Sequence, residues 1–165
     1  MVRVTAVVCD NGEPLLERCI NSLRDQTSRV DEVIICPGPR TDLELAESLA
    51  DRLVEVDSVI GRARVRGVLR ASGDVVLSCD GDTLYSPTYA ELMVSSLSRR
   101  GASLATPRSL VRDDPLALLE EAVAAVTPIP YEYALAFRRS SFLGAGIHRA
   151  RYSNPRDDVG WHVLF

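Results

Sequence analysis

Lysine is missing from this chain: all 19 basic residues among its 165 are arginine. The arginine fork suits phosphate recognition, but a preference spread over the whole chain is read as compositional, not as a binding site. Aromatics make up only 5%, so the core must be built from Val, Leu, Ile and Ala. No apolar run reaches 18 residues, so no spanning helix is predicted. The opening MVRVTAVVCDNGEP has no small-residue cleavage site; it reads as a first strand rather than a signal peptide, and the expected compartment is the cytosol. A net charge of -4 gives no basis for broad nucleic-acid or anionic-membrane affinity. Cys9, Cys19, Cys36 and Cys79 show neither a Cys-x-x-Cys pair nor zinc spacing. Three of them end apolar runs, and buried free thiols are expected, with a redox or metal cluster as the alternative.

What is present is an alternation of periods. Strand-like runs at Val2–Cys9, Glu32–Cys36, Leu53–Val56, Asp74–Cys79, Ala102–Thr106 and Glu132–Arg138 alternate with helical patterns. The helices are expected at Leu15–Asp25, Leu43–Ala50, Ser58–Ala71, Pro87–Arg99 and Pro115–Val126, with a short one at the end. Leu15, Leu16, Cys19, Ile20 and Leu23 give the first helix an apolar face, and Leu92, Met93 and Leu97 are expected to point inward from the fourth. The continuous VVLSC predicts a strand buried on both faces. Length and alternation imply one α/β domain with a mostly parallel, Rossmann-like sheet flanked by helices. About two-thirds of its unfolded surface should be buried.

The stretch VLSCDGDTLYSP puts Asp80 and Asp82 at the mouth of such a strand. In an extended segment residues i and i+2 project to one side, and the carboxyl ends of parallel strands are where open α/β sheets bind ligands. Two carboxylates there repel each other unless a cation joins them. Mg²⁺ is often held by one or two carboxylates plus phosphate oxygens. Asp-Gly is also a common turn dipeptide, so a solvated turn is the alternative.

Several spaced motifs in one order resemble the family 2 nucleotide-sugar glycosyltransferases, which share the GT-A fold. VVCDNGEPLLERCINSLRDQT is similar to the family's first strand, Asn-containing turn and helix ending in Gln-Thr, here Gln26-Thr27. DEVIIC is similar to its second strand, and GRARVRGVLRASGDVVLSCDGD to its Ala-Arg-Asn helix, Ala-x-Gly-Asp and metal-binding Asp-x-Asp. The resemblance implies that residues 1–107 bind the nucleotide sugar and 108–165 form the acceptor side. It implies Asp82 as ligand of Mg²⁺ or Mn²⁺, with Asp80 on the ion or the ribose. Asp10, Asn11 and Glu13 fall where the family cradles the nucleoside. Arg64 either reaches the donor or is a solvated helix arginine, and Asn11 is otherwise a helix cap.

A base must also deprotonate the acceptor hydroxyl. In NPRDDVGWHVLF, Asp158 aligns with the family's base and Asp157 with the Glu before it. Alternatively both are helix N-terminal acids favoured by the dipole. YALAFRRSSFLGAG resembles the family's strand, Arg-Arg turn and acceptor-side loop. His148 and His162 are left out of the site, and Trp161 is read as a core anchor rather than a sugar platform.

Two departures bear on function. The second strand leads into CPGPRTD, with no acid where the family reads the nucleobase, so UDP and GDP donors both stay open. Asp42 either matches the family's later Asp or caps the next helix. The chain also stops seven residues beyond Asp158, which suggests a small acceptor or a pocket completed by self-association. The leading expectation is a metal-dependent, inverting transferase acting on an unidentified hydroxyl acceptor. A non-catalytic nucleotide-sugar sensor or scaffold is the alternative. A sugar-nucleotide pyrophosphorylase ranks lowest, because its Gly-rich basic loop after the first strand is absent.

Overall fold

The structure, a computed structural model, describes residues 2–107 and 134–146. In chain order these form β1 (Val4–Asp10), α1 (Leu16–Arg24), β2 (Glu32–Pro37), α2 (Leu43–Leu49) and β3 (Arg52–Leu53). There follow α3 (Ile60–Arg70), β4 (Val75–Asp80), α4 (Tyr89–Arg100), β5 (Leu104–Ala105), β6 (Ala134–Arg138) and α5 (Arg139–Ala145). The six strands make one sheet in the order β3-β2-β1-β4-β6-β5. The first four neighbours run parallel, β6 is antiparallel to β4, and β5 is antiparallel to β6. The expected mostly parallel α/β sheet is what forms.

Alternation along β1 sorts its side chains between two cores. Val4, Ala6 and Val8 meet Leu16, Ile20, Leu23 and Leu97 of α1 and α4. Val7 and Cys9 face Ala63 and Val68 of α3, with Phe137 and Phe142. Residues 75–79 of β4 are all buried, as VVLSC predicted. Each fully buried aliphatic chain contributes about 1.5–3 kcal/mol, and helix layers cover both faces. On one face α3 lies close against β1 and β2. A Cβ at Gly67 would stand 2.5 Å from Val7 Cγ1 and 2.6 Å from Cys36 Sγ, so only glycine permits that approach.

Three expectations change. The predicted strand over Leu53–Val56 shortens to β3. Beyond it the backbone keeps only isolated bonds to β2, from Val54 N–H to the Ile35 carbonyl and from Asp57 N–H to the Pro37 carbonyl. In α4, Met93 and Leu97 are buried but Leu92 is 58% exposed. Tyr89, Met93 and Leu97 recur every four residues, and Leu92 lies about 100° off that stripe. The Arg-Arg turn is instead the junction of β6 and α5, and the two arginines end two different helices. Arg138 donates to the carbonyls of Leu97 and Ala102 at the end of α4. Arg139 donates to those of Val68 and Leu69 at the end of α3. Neighbouring residues at a strand end point to opposite faces, and each cation meets the negative end of a helix. The helix expected at Pro115–Val126 and the terminal one lie outside the described residues.

All four cysteines are free and buried. Cys9 and Cys36 face each other in register across β1 and β2. No described helix is long and apolar enough to cross a membrane.

Candidate functional site

Strand order reverses at β1: the chain steps outward to β2 and β3, then returns to place β4 on the other side of β1. The loops leaving β1 and β4 lead to α1 and α4 on one face of the sheet, and the carboxyl ends of strands at such a reversal are where open α/β sheets bind ligands. Asp10 ends β1 and Asp80 ends β4, with Cys9 in register with Asp80.

Asp10 is 3% exposed. Its Oδ2 accepts from Gly12 N–H and its Oδ1 from Glu13 N–H, both at 3.0 Å. The carboxylate thus shapes the β1–α1 turn, in which Gly12 adopts φ +85° with the Arg40 carbonyl oxygen 2.6 Å from where a Cβ would sit. Glu13 is half-buried beside it. Asn11 is not the cap of α1; the cap residue is Leu15. Asn11 Oδ1 accepts from Arg40 N–H at 3.3 Å and so joins the loop after β2. Asp42 caps α2, accepting from Leu45 N–H at 3.1 Å.

Between these loops and α3 lies an open cleft of about 260 Å³. Asn11 and Asp10 form one wall, Gly38 and Pro39 a second, Asp57 and Ile60 a third. Asp57 is a feature that sequence reasoning missed. Its Oδ1 accepts from Val59 N–H at 2.9 Å and Arg62 Nη2 at 2.6 Å. Its Oδ2 takes Arg62 Nε at 2.5 Å and Arg66 Nη1 at 3.0 Å. These bonds hold the segment just before α3, which begins at Ile60 where Ser58 was expected. The available signal was an aspartate just ahead of a helix whose arginines at i and i+4 share one face.

The Arg62 fork holds the Asp57 carboxyl below its usual value. A carboxyl depressed in the folded state stabilises the fold above its unfolded value, about 3.9, and loses that contribution as pH falls through the folded value. Asp57→Asn is therefore expected to lower Tm at neutral pH and to flatten the decline below pH 4. Thermal melts from pH 7 to 2.5 check this. Parallel curves for the two proteins would contradict it.

Asp80 and Arg64 form the centre. Arg64 projects from mid-α3 and is 2% exposed. Its Nη2 donates to Asp80 Oδ1 at 2.6 Å. Its Nη1 donates to Ser78 Oγ at 2.7 Å and, less closely, to the Cys79 carbonyl at 3.4 Å. The solvated alternative does not hold: Arg64 is buried and bonded to Asp80. The side chain of Asp80 remains 25% exposed.

Asp82 is exposed and accepts from Thr83 Oγ1 at 3.2 Å. β4 ends at Asp80, so strand alternation does not aim the pair; a turn does. Gly81 N–H bonds the Cys9 carbonyl at 2.8 Å, and Thr83 N–H the Asp80 carbonyl at 3.2 Å. Below the turn, burial pushes the Cys19 thiol up to about 12, helped by the negative charges of Asp80, Asp82 and Asp10.

The donor chemistry fits a hard divalent cation. No group of three or more His, Cys, Asp or Glu able to hold a metal occurs among the described residues. Asp80 and Asp82 would offer two carboxylates, and one or two carboxylates beside phosphate oxygens are how Mg²⁺ is usually held. Asp157, Asp158, His148, His162 and Trp161 lie outside the described residues.

The family model for glycosyl transferase family 2 matches residues 5–142. Among solved structures, the Pyrobaculum calidifontis mannosyltransferase PcManGT, in complex with GDP-Man and Mn²⁺, superposes with a TM-score of 0.69 at 24% identity. That match covers 88% of this chain and 47% of the other. Glucosyl-3-phosphoglycerate synthase from Mycobacterium tuberculosis, in complex with Mn²⁺, UDP-glucose and phosphoglyceric acid, gives 0.61 at 24% identity, over 84% and 57%. S. aureus TarS 1-349 in complex with UDP-GlcNAc gives 0.68 at 15%, over 87% and 47%. At these identities the likeness shows a shared GT-A fold, and the chain spans about half the length of these structures. No curated protein matches by sequence.

Proposed function

Because the chain belongs to glycosyl transferase family 2, we propose that it moves a sugar from a nucleotide-sugar donor to an acceptor hydroxyl, with inversion, by direct displacement. What supports this reading is Asp10 at the end of β1 and Asp80 at the end of the neighbouring β4, where strand order reverses, with Asp80 fixed by a buried arginine and Asp82 exposed on the turn that follows. Asp80 and Asp82 would hold Mg²⁺ or Mn²⁺, which would supply charge neutralisation for the departing nucleoside diphosphate. The chain's own residues do the rest. Arg64 occupies Asp80 Oδ1 and holds the carboxylate in one orientation. The Asp10 turn and Asn11 shape the wall of the cleft assigned to the nucleoside, with Glu13 beside them. Residues 1–107 are assigned to the donor and 108–165 to the acceptor. In the second part Asp158 takes the proton from the attacking hydroxyl, and Asp157 stands beside it.

The segment CPGPRTD, with no acid at its start where the family has one, favours a second reading: a nucleotide-sugar binder without turnover. The experiment is release of UDP from UDP-glucose and of GDP from GDP-mannose, with Mn²⁺ or EDTA, over a panel of hydroxyl acceptors. Acceptor-stimulated, EDTA-sensitive release with one donor is expected. Donor binding without release under any acceptor would favour the second reading.

A further inference from the structure

Gln26-Thr27, at the end of α1, is remote in sequence from the Asp80–Asp82 turn, yet it is bonded to the segment that follows that turn. Gln26 is 9% exposed and both of its amide atoms are engaged. Nε2 donates to the carbonyls of Ser22 and Ser86, each at 2.8 Å. Oε1 accepts from Ala90 N–H at 2.8 Å. That N–H is one of the first-turn donors of α4 that no helical carbonyl can reach, and the cap residue Thr88 makes no side-chain bond to them. Thr27 adds its N–H to the Pro87 carbonyl at 2.7 Å and its hydroxyl to Glu91 at 2.9 Å. One turn earlier in α1, Ser22 Oγ accepts from Tyr85 N–H at 3.1 Å.

Tyr85 closes the loop back on the strand. Its hydroxyl accepts from Asp80 N–H at 3.1 Å, and its ring packs against Tyr89 with centroids 4.8 Å apart. The acidic turn is therefore tied at both ends. At one end Asp80 is held by Arg64 and Tyr85; at the other, residues 85–91 are clasped by α1. Only a primary amide offers two donors and an acceptor at one point. Glutamate would lose both donors, and an apolar side chain would leave Ala90 N–H and the Ser86 carbonyl unpaired.

We propose that Gln26 and Tyr85 are positioning residues that hold the Asp80–Asp82 turn in the geometry that seats the cation. This rests on the metal-dependent reading above. A clasp that served only to attach α4 would support stability without touching the turn, and the two roles separate experimentally.

The test uses the full chain and the variants Tyr85→Phe, Gln26→Met and Ser22→Ala, with far-UV circular dichroism to establish folding. Tyr89→Phe is the control, because the buried Tyr89 hydroxyl has no hydrogen-bond partner among the described residues. Two readouts are taken: amide hydrogen exchange without ligand, and Mn²⁺ affinity by electron paramagnetic resonance, alone and with UDP or GDP. In the folded variants exchange at residues 80–84 should quicken, and Mn²⁺ binding weaken, by roughly two- to tenfold, the effect of one lost hydrogen bond. The control should match wild type in both. Unchanged exchange at 80–84 in every folded variant would overturn the proposal, as would faster exchange with wild-type Mn²⁺ affinity. Wild type that binds no Mn²⁺ under any condition would overturn the metal reading itself and this inference with it, an outcome distinct from the other two.

Discussion

Arg64→Met is expected to destabilise the protein by about 3 kcal/mol, the lower end of the range for breaking a buried ion pair. It should do so although methionine suits a helix interior as well as arginine does. The cost arises at the partners. Ser78 Oγ and the Cys79 carbonyl each lose a donor from the buried guanidinium, and Asp80 loses its counter-charge. Asp80 is a quarter exposed, so water recovers part of the loss and keeps the figure from the top of the range. Urea unfolding measures it. Arg64→Lys should recover only part, because an ammonium cannot reproduce the fork that reaches Asp80 and Ser78 together. If Arg64 were a solvated helix residue, both substitutions would fall within about 0.5 kcal/mol of wild type. In Asp80→Asn the Arg64→Met cost should shrink, since residues in one network do not add.

Asp158→Asn is expected to leave donor binding intact and to slow transfer by about 10²–10⁴-fold, the usual contribution of a positioned general base. Asparagine keeps the shape and loses the proton acceptor. Asp157→Asn should have the smaller effect, since that residue stands beside the base and does not act as one. The competing account makes both acids favourable charges at a helix start. It predicts a stability loss of about 0.3–1 kcal/mol from each and unchanged turnover. Single-turnover kinetics beside nucleotide titrations separates the two accounts, and full-speed transfer by Asp158→Asn would remove the base assignment.

The fold was legible in the sequence wherever one period dominated. Six apolar-to-small residues in a row, Val4–Cys9 of β1, and the i, i+3, i+4, i+7 stripe of α1 leave little choice of element. Legibility failed where bonds rather than periods decide. β3 was overextended because Val54 and Val56 look like strand residues, while only isolated bonds join that segment to β2. Leu92 was placed inward by its apolarity, though its angle on α4 points it to solvent. The spacing of Asp80 and Asp82 is plain in the sequence, but strand alternation does not set their directions, because β4 ends at Asp80. Arg64 could be placed on a helix; that it would turn inward to meet Asp80 and Ser78 depends on tertiary contact with residues 14 and 16 positions later. The Asp57 cluster is local and legible, an aspartate five and nine residues ahead of its two arginines. The bonds of Gln26 to the segment after the acidic turn left no such signal, because those partners lie 60 and 64 residues away.

The measurement closest to the central claim is calorimetric titration of UDP, GDP and their sugar conjugates into wild type and Asp82→Ala, with and without Mn²⁺. One nucleotide should bind wild type only when Mn²⁺ is present, and the variant should lose that binding while its thermal stability changes little, since Asp82 is exposed and among the described residues bonds only to Thr83. Equal binding with and without the ion, or equal binding by the variant, would contradict the account.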